Sequence, residues 1–404
     1  MNNSQSAELQ RVFLSREKLI KFFIFLIVVI PIVLDFLFTG TRIARLSRII
    51  IFLIISGIML LDYEKFFNIK PIGIGTIILI LLLYLIGTFS SLIAGGVATP
   101  NFLLLLLILT IVAFSPDLQS MISSWLGTCA HILICLSFIA IVLKINNLQV
   151  YFTDKGYPVF LKFLGIPGRN YGIFAHPNVL GEVSVVSFLY NLSSKSKLTY
   201  KLYLIIPLTC ILKSGSRTSI IGLLLGTTIF FLFRSKVLSK AKQKVKFEFP
   251  LIVGLFLSGI FLVLTSFLVN VIAYLDPSSL TSRVSIWQTS LELTRDHPLI
   301  GMGWGWQYRA VESQFLNTWE ASAHNQILEV LFSSGILGLI IFMILISRGF
   351  LFLSEMSNIH RILFLTCLVS GISESYIDVQ YPNTITVIFF TILVQCNPRS
   401  IWSH

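Results

Sequence analysis

The sequence predicts an all-α, polytopic integral membrane protein. It has about twelve transmembrane helices and one larger external loop that carries a short amphipathic helix. Three observations predict this class. Of the 404 residues, 55% are hydrophobic and only 12% are charged, roughly half the charged share of a soluble domain. Apolar runs near 20 residues, the length that crosses a bilayer core, recur along the whole chain, and the mean hydropathy is +0.87. Lysine and arginine collect in alternate connections, as they do in cytoplasmic loops. That bias explains the formal charge of +12 better than nucleic-acid binding, because no basic surface with interleaved aromatics lies outside the apolar pattern.

The predicted spans are about 19–38, 46–61, 72–94, 99–115, 127–143, 177–192, 199–213, 217–233, 250–273, 324–346, 358–374 and 380–396. Arg11, Arg16, Lys18 and Lys21 precede the first run without a small-residue cleavage site, so it reads as an uncleaved first helix. RSKVLSKAKQKVK (234–246), which has no acidic residue, is the strongest topology signal. It places both termini in the cytoplasm. The opposite face then receives 144–176, the turn before Arg217 and the loop 274–323. Arg42, Arg45 and Arg48 fall on that face against the bias, where they either bind an anion or are ordinary scatter. Residues 1–404 read as a single transmembrane domain with the 274–323 loop inside it. Within 144–176 the prolines leave room for a short interfacial helix near 157–164. The five cysteines lie in or beside apolar runs without a C-x-x-C pair, which suits packed free thiols and no metal site.

Four polar clusters fall on the predicted external face. The first is Arg169 with His176, Asn178 and Glu182 in GRNYGIFAHPNVLGE, where Pro177 suits a first helical position. The second is KSGSRTS, a turn in which Arg217 opens a helix. A helix N-terminus offers free N–H groups and partial positive charge, and arginine adds a planar fork, so together they can hold a diphosphate. The bland alternative is an arginine snorkelling to lipid headgroups. The third is Arg283 with Trp287 in SRVSIWQ. Val284, Trp287 and Leu291 are spaced for one face of an amphipathic helix, with Ser282 or Thr281 as N-cap and Pro298 forcing an exit near His297. The fourth is His324 with Asn325, just before an apolar run. Histidine titrates near neutrality and can accept a proton, although at a helix mouth it is equally a hydrogen-bonding residue. GMGWGW (301–306) has no surrounding βαβ pattern. It reads as a glycine-permitted turn with interfacial tryptophans rather than a dinucleotide site. There is no H-E-x-x-H, Walker sequence, G-x-S-x-G or EF-hand.

Taken together the clusters resemble the O-antigen ligase and Wzy-type polymerase superfamily of bacterial envelope glycan enzymes. The motifs that carry the resemblance are HPN-x-x-G (176–181), SGSR (214–217), SR-x-x-IW (282–287), HP-x-x-G-x-G-W-G (297–305) and AHN-x-x-LE with G-x-x-G (323–338). The first 140 residues match only in hydropathy. The resemblance implies a metal-independent, inverting glycosyltransferase without cofactor, at the outer face of the bacterial inner membrane. Its donor is a glycan on undecaprenyl diphosphate. Its acceptor is a sugar hydroxyl of another lipid-linked repeat unit or of lipid A core. Carried onto this chain, Arg217 and Arg283 would hold the diphosphate, and His324 would orient or deprotonate the acceptor. Arg169, His176, Asn178, Trp287 and Asn325 are lesser candidates. A chain-length regulator is a partner the resemblance leaves open. The modest external loop inclines the reading to polymerase over ligase. The rival from another class is a polysaccharide-precursor transporter or flippase, which needs ionisable residues near the bilayer midplane. Here Asp35 and Glu374 sit near span ends instead.

Overall fold

The structure is a computed structural model. It describes residues 3–37, 42–61, 73–93, 102–145, 149–150, 169–174, 176–193, 203–234, 286–287, 290–292, 294–304, 306, 323–353, 355–371, 374–375, 377 and 383–395. Apolar periodicity becomes helix almost throughout. Among the described residues the α-helices are α1 (Asn3–Val28), α2 (Ile30–Leu37), α3 (Arg42–Leu61), α4 (Ile74–Ile93), α5 (Phe102–Ala113), α6 (Gln119–Val142), α7 (Pro177–Ser193), α8 (Ile205–Ser214), α9 (Arg217–Arg234), α10 (Gln326–Leu351), α11 (Asn358–Ser370) and α12 (Thr384–Gln395). The predicted first span is broken at Val29, beside Pro31, which has no N–H to donate. Among the described residues, four helical stretches are long and apolar enough to cross a membrane: Arg16–Leu37, Ile74–Ile93, Pro116–Val142 and Gln326–Leu351. The others are shorter apolar helices. The predicted ninth span at 250–273, the lysine-rich segment 234–246 beyond Arg234, and the interfacial helix near 157–164 lie outside the described residues. The fold is not purely helical. Gln149–Val150 and Arg169–Asn170 (β1 and β2) pair antiparallel, Gln149 opposite Asn170.

α7 is the hub, packed against α6, α8, α9, α11 and α12. Large apolar side chains stay exposed along α3 and α4, among them Leu53, Leu61, Phe89 and Leu92. Such a surface suits lipid and not water, so the protein is membrane-embedded. At one end of the bundle Arg16 closes the core. Its guanidinium donates to Asp117 Oδ2 (3.0 Å), to the Phe114 carbonyl (2.8 Å) and to Ser115 Oγ (3.2 Å). The polar clusters gather at the other end.

α10 is interrupted at Gly335, whose φ of 64° and ψ of −163° are not helical. Two helical hydrogen bonds, Ile336 to Phe332 and Leu337 to Ser333, are replaced by four to the segment 298–303. Ile336 N donates to Pro298 O (2.9 Å), Leu337 N to Leu299 O (3.1 Å), Met302 N to Phe332 O (2.7 Å) and Gly303 N to Ser333 O (3.0 Å). Broken helix inside a membrane protein is tolerated only where protein satisfies the freed groups, and 298–303 does so here. The same segment leans on α4, where Trp304 N donates to Ser91 Oγ (2.6 Å). Trp304 and Trp306 are therefore 8% and 0% exposed. They are core residues and not the interfacial anchors that the sequence suggests, because the glycines let the loop enter the bundle. A Cβ at Gly335 would come 2.4 Å from the Leu299 carbonyl, in a backbone region nearly exclusive to glycine. Gly335→Ala should destabilise the protein by at least about 1–3 kcal/mol, seen as a lower melting temperature in detergent. A wild-type melting curve would show that α10 can close its own ladder.

Candidate active site

The start of α7, the end of α8, the starts of α9 and α10, and the stretch after α11 meet at one end of the bundle. His176 precedes Pro177, whose fixed φ suits the first helical turn. The His176 ring Nδ1 accepts from Asn178 N (3.1 Å). That bond satisfies one of the N–H groups a helix start leaves orphaned. His176 is solvent-exposed, yet the protein packed around it lowers its pKa from the usual imidazole value. Glu374 acts against that shift, while Arg169 and His324 add to it. These four side chains therefore share one electrostatic neighbourhood.

The neighbourhood is wired through Asn178. Arg169, on β2, donates from Nε to the Ser214 carbonyl (2.9 Å) and from its guanidinium to Asn178 Oδ1. Asn178 Nδ2 donates to Glu374 Oε1 (2.6 Å). Glu374 Oε2 lies 2.9 Å from His324 Nδ1. Glu374 is 5% exposed, and it sits past the end of α11 rather than at the middle of a span. A carboxylate that faces Nδ1 requires the proton on Nδ1, so Nε2 keeps its lone pair. The arrangement can accept a proton at Nε2 and stabilise the imidazolium that results.

Three further contacts fix the two segments that carry this pair. Asn325 caps α10, accepting from Ile327 N (3.0 Å) and Leu328 N (3.1 Å). That bonding is the ordinary cap geometry, so the side chain is engaged in holding the helix start. Gln326 reaches across to Ile377, donating to its carbonyl (2.9 Å) and accepting from its N–H (2.8 Å). Trp287 Nε1 donates to the Ala323 carbonyl (2.7 Å), one residue before His324.

Arg217 opens α9, half-buried, between Ser216 and the buried Ser219. The Ser219 hydroxyl lies 3.2 Å from Glu182 Oε1 and 2.8 Å from Ser216 Oγ. Thus α7 and α9 join through the Glu182 and KSGSRTS clusters, while Arg169 ties the end of α8 to Asn178 and so to Glu374 and His324. Arg283 lies outside the described residues. The predicted amphipathic helix is visible in part: 286–287, 290–292 and 294 are helical. Its buried stripe runs through Ile286, Ser290 and Thr294, while Leu291 is 45% exposed. The face read from Val284, Trp287 and Leu291 is therefore displaced. Small hydroxyl residues pack inward, Thr294 Oγ1 closing on Ser290 O (2.7 Å), and Trp287 turns its N–H to Ala323.

Glu374 is the participant that motif reading passes over. Its only sequence signal is an acid just beyond an apolar run, where a buried carboxylate needs a partner. Residues 202–343 match the family model described as O-antigen ligase. No curated protein and no solved structure matches the chain. The matched stretch holds Arg217, Arg283 and His324, whereas Arg169, Asn178 and Glu374 fall outside it. Over residues 202–343, then, the chain is similar to the O-antigen ligase family.

Proposed function

We propose that the protein is an inverting membrane glycosyltransferase that moves a glycan from undecaprenyl diphosphate to a sugar hydroxyl at the outer face of the bacterial inner membrane. The observation that carries this reading is His324 Nδ1 set 2.9 Å from the buried Glu374 carboxylate, with His324 inside the stretch that matches the O-antigen ligase family. The acceptor hydroxyl attacks the anomeric carbon from the face opposite the diphosphate, and its proton passes to His324 Nε2. The bond from the anomeric carbon to the diphosphate oxygen breaks, and its electron pair leaves with the diphosphate. Arg217 and Arg283 neutralise that developing charge, the main catalytic need when the leaving group is already good. On this reading the chain's own arginines serve the diphosphate, and turnover persists in chelator. The gathering of polar side chains at one end of the bundle favours surface chemistry over transport, which works from the midplane.

The acceptor we propose is a second lipid-linked repeat unit, which makes the enzyme a polymerase. Ligation to lipid A core is the second reading, favoured by the description of the matched family. The test is a product assay on purified protein in lipid with undecaprenyl-diphosphate-linked glycan as the only substrate. A ladder of longer lipid-linked glycans with release of undecaprenyl diphosphate is the expected result. Release only after lipid A core is added selects the ligase. Labelled lipid crossing the bilayer without any transfer overturns the enzyme reading.

A further inference from the structure

We infer that Glu329 is a positioning residue for His324, through a clamp on the peptide that precedes it. The inference rests on the reading of His324 as the base. His324 has a φ of 49°, a left-handed backbone that a non-glycine residue keeps only where its surroundings over-determine it. The surroundings here are specific. Glu329 lies one turn inside α10 and reaches back past the cap. Its Oε2 accepts from Ala323 N (2.8 Å), and its Oε1 accepts from Trp306 Nε1 (3.0 Å). The carbonyl of the same Ala323 is held by Trp287 (2.7 Å). Both polar groups of the residue before the strained one are therefore tied. Trp306 is fully buried against Phe332, with ring centroids 5.0 Å apart, so the carboxylate is referenced to a rigid wall. A carboxylate in the first turn of α10 is also favoured by the positive end of the helix.

The chemistry explains why a carboxylate stands there. Among the described residues, the groups that meet the Glu329 oxygens, Ala323 N and Trp306 Nε1, are both N–H donors, and a carboxylate accepts at both oxygens. Glutamine has the same size but presents an NH2 to one of them. Glu329→Gln therefore loses one tie without leaving a cavity. The left-handed turn loosens, and the imidazole moves relative to Glu374 Oε2 and the acceptor hydroxyl. A displacement of about 1 Å at a reacting group costs on the order of 10²-fold. Glu329→Gln should lower turnover by roughly 10- to 100-fold, while KM for the lipid-linked donor stays at its wild-type value. The acid limb of the pH–rate profile should move to lower pH, because a His324 less well seated on Glu374 binds its proton less tightly.

The test is a double-mutant cycle on the purified full-length protein, with undecaprenyl-diphosphate-linked glycan as substrate. In a His324→Ala background Glu329→Gln should change the residual rate less than twofold, since a residue that acts through the base has nothing left to act on. Trp306→Phe, which keeps the buried ring but removes its N–H, should behave likewise with a smaller loss. The inference is overturned if Glu329→Gln costs the same factor with and without His324. It is equally overturned if the loss lies wholly in KM with the acid limb unmoved. Should His324→Ala keep wild-type turnover, the reading of His324 as the base fails first, and that outcome is separate from the other two.

Discussion

Replacing His324 by alanine should lower turnover by about 10²–10⁴-fold, the usual worth of a positioned general base, without weakening the donor. On the proposed reading the donor is held through its diphosphate and lipid, and the proposed arginines would remain. Alanine at this position removes the imidazole but also inherits a left-handed backbone, φ 49°. His324→Asn separates the two effects, because asparagine tolerates that conformation well yet cannot act as a base near neutral pH. Both variants should be equally inactive, with the asparagine protein melting close to wild type. If His324→Asn retained more than a tenth of the wild-type rate, backbone shape and not proton transfer would be the contribution of this residue.

Much of this arrangement is legible in the chain because it depends on local physics. Apolar runs give helices, and Arg217 opens α9 where the KSGSRTS turn ends α8. His176, Asn178 and His324 sit where apolar runs begin, so their position at helix mouths can be read from the change in polarity alone. What is not legible depends on tertiary approach. Glu374 follows α11 in a stretch with no motif around it, and only the crossing of the segment after α11 over α10 brings it to His324. The tryptophans of GMGWGW look interfacial because loops normally lie on the surface. They are buried because Gly335 breaks a helix and 298–303 supplies the missing hydrogen bonds. The face of the helix at 286–294 is misread for a similar reason. Side-chain hydropathy favours Leu291, but Ser290 and Thr294 are the positions that the fold buries.

Glu374→Gln should cost about as much as losing His324, on the order of 10⁴-fold, the known cost of a carboxylate-to-amide change that forces a catalytic histidine into the wrong tautomer. The reason lies two residues away from the base. Asn178 gives its Nδ2 to Glu374 Oε1 at 2.6 Å, and its Oδ1 takes the Arg169 guanidinium. Arg169 only donates, so Asn178 cannot flip. A glutamine at 374 must then turn its oxygen to Asn178 and its NH2 to His324 Nδ1. The ring can meet that NH2 only by accepting at Nδ1, which moves its proton to Nε2 and removes the lone pair that would take the acceptor's proton. Glu374→Asp, a shorter carboxylate with the right polarity, should lose far less. The chain of constraint also predicts a rescue. With Arg169→Leu added to Glu374→Gln, Asn178 is free to turn over, the glutamine can present oxygen to His324, and about tenfold of the rate should return, roughly the worth of one hydrogen bond. A double variant slower than Glu374→Gln alone would mean that Arg169 serves the substrate directly and not the orientation of Asn178.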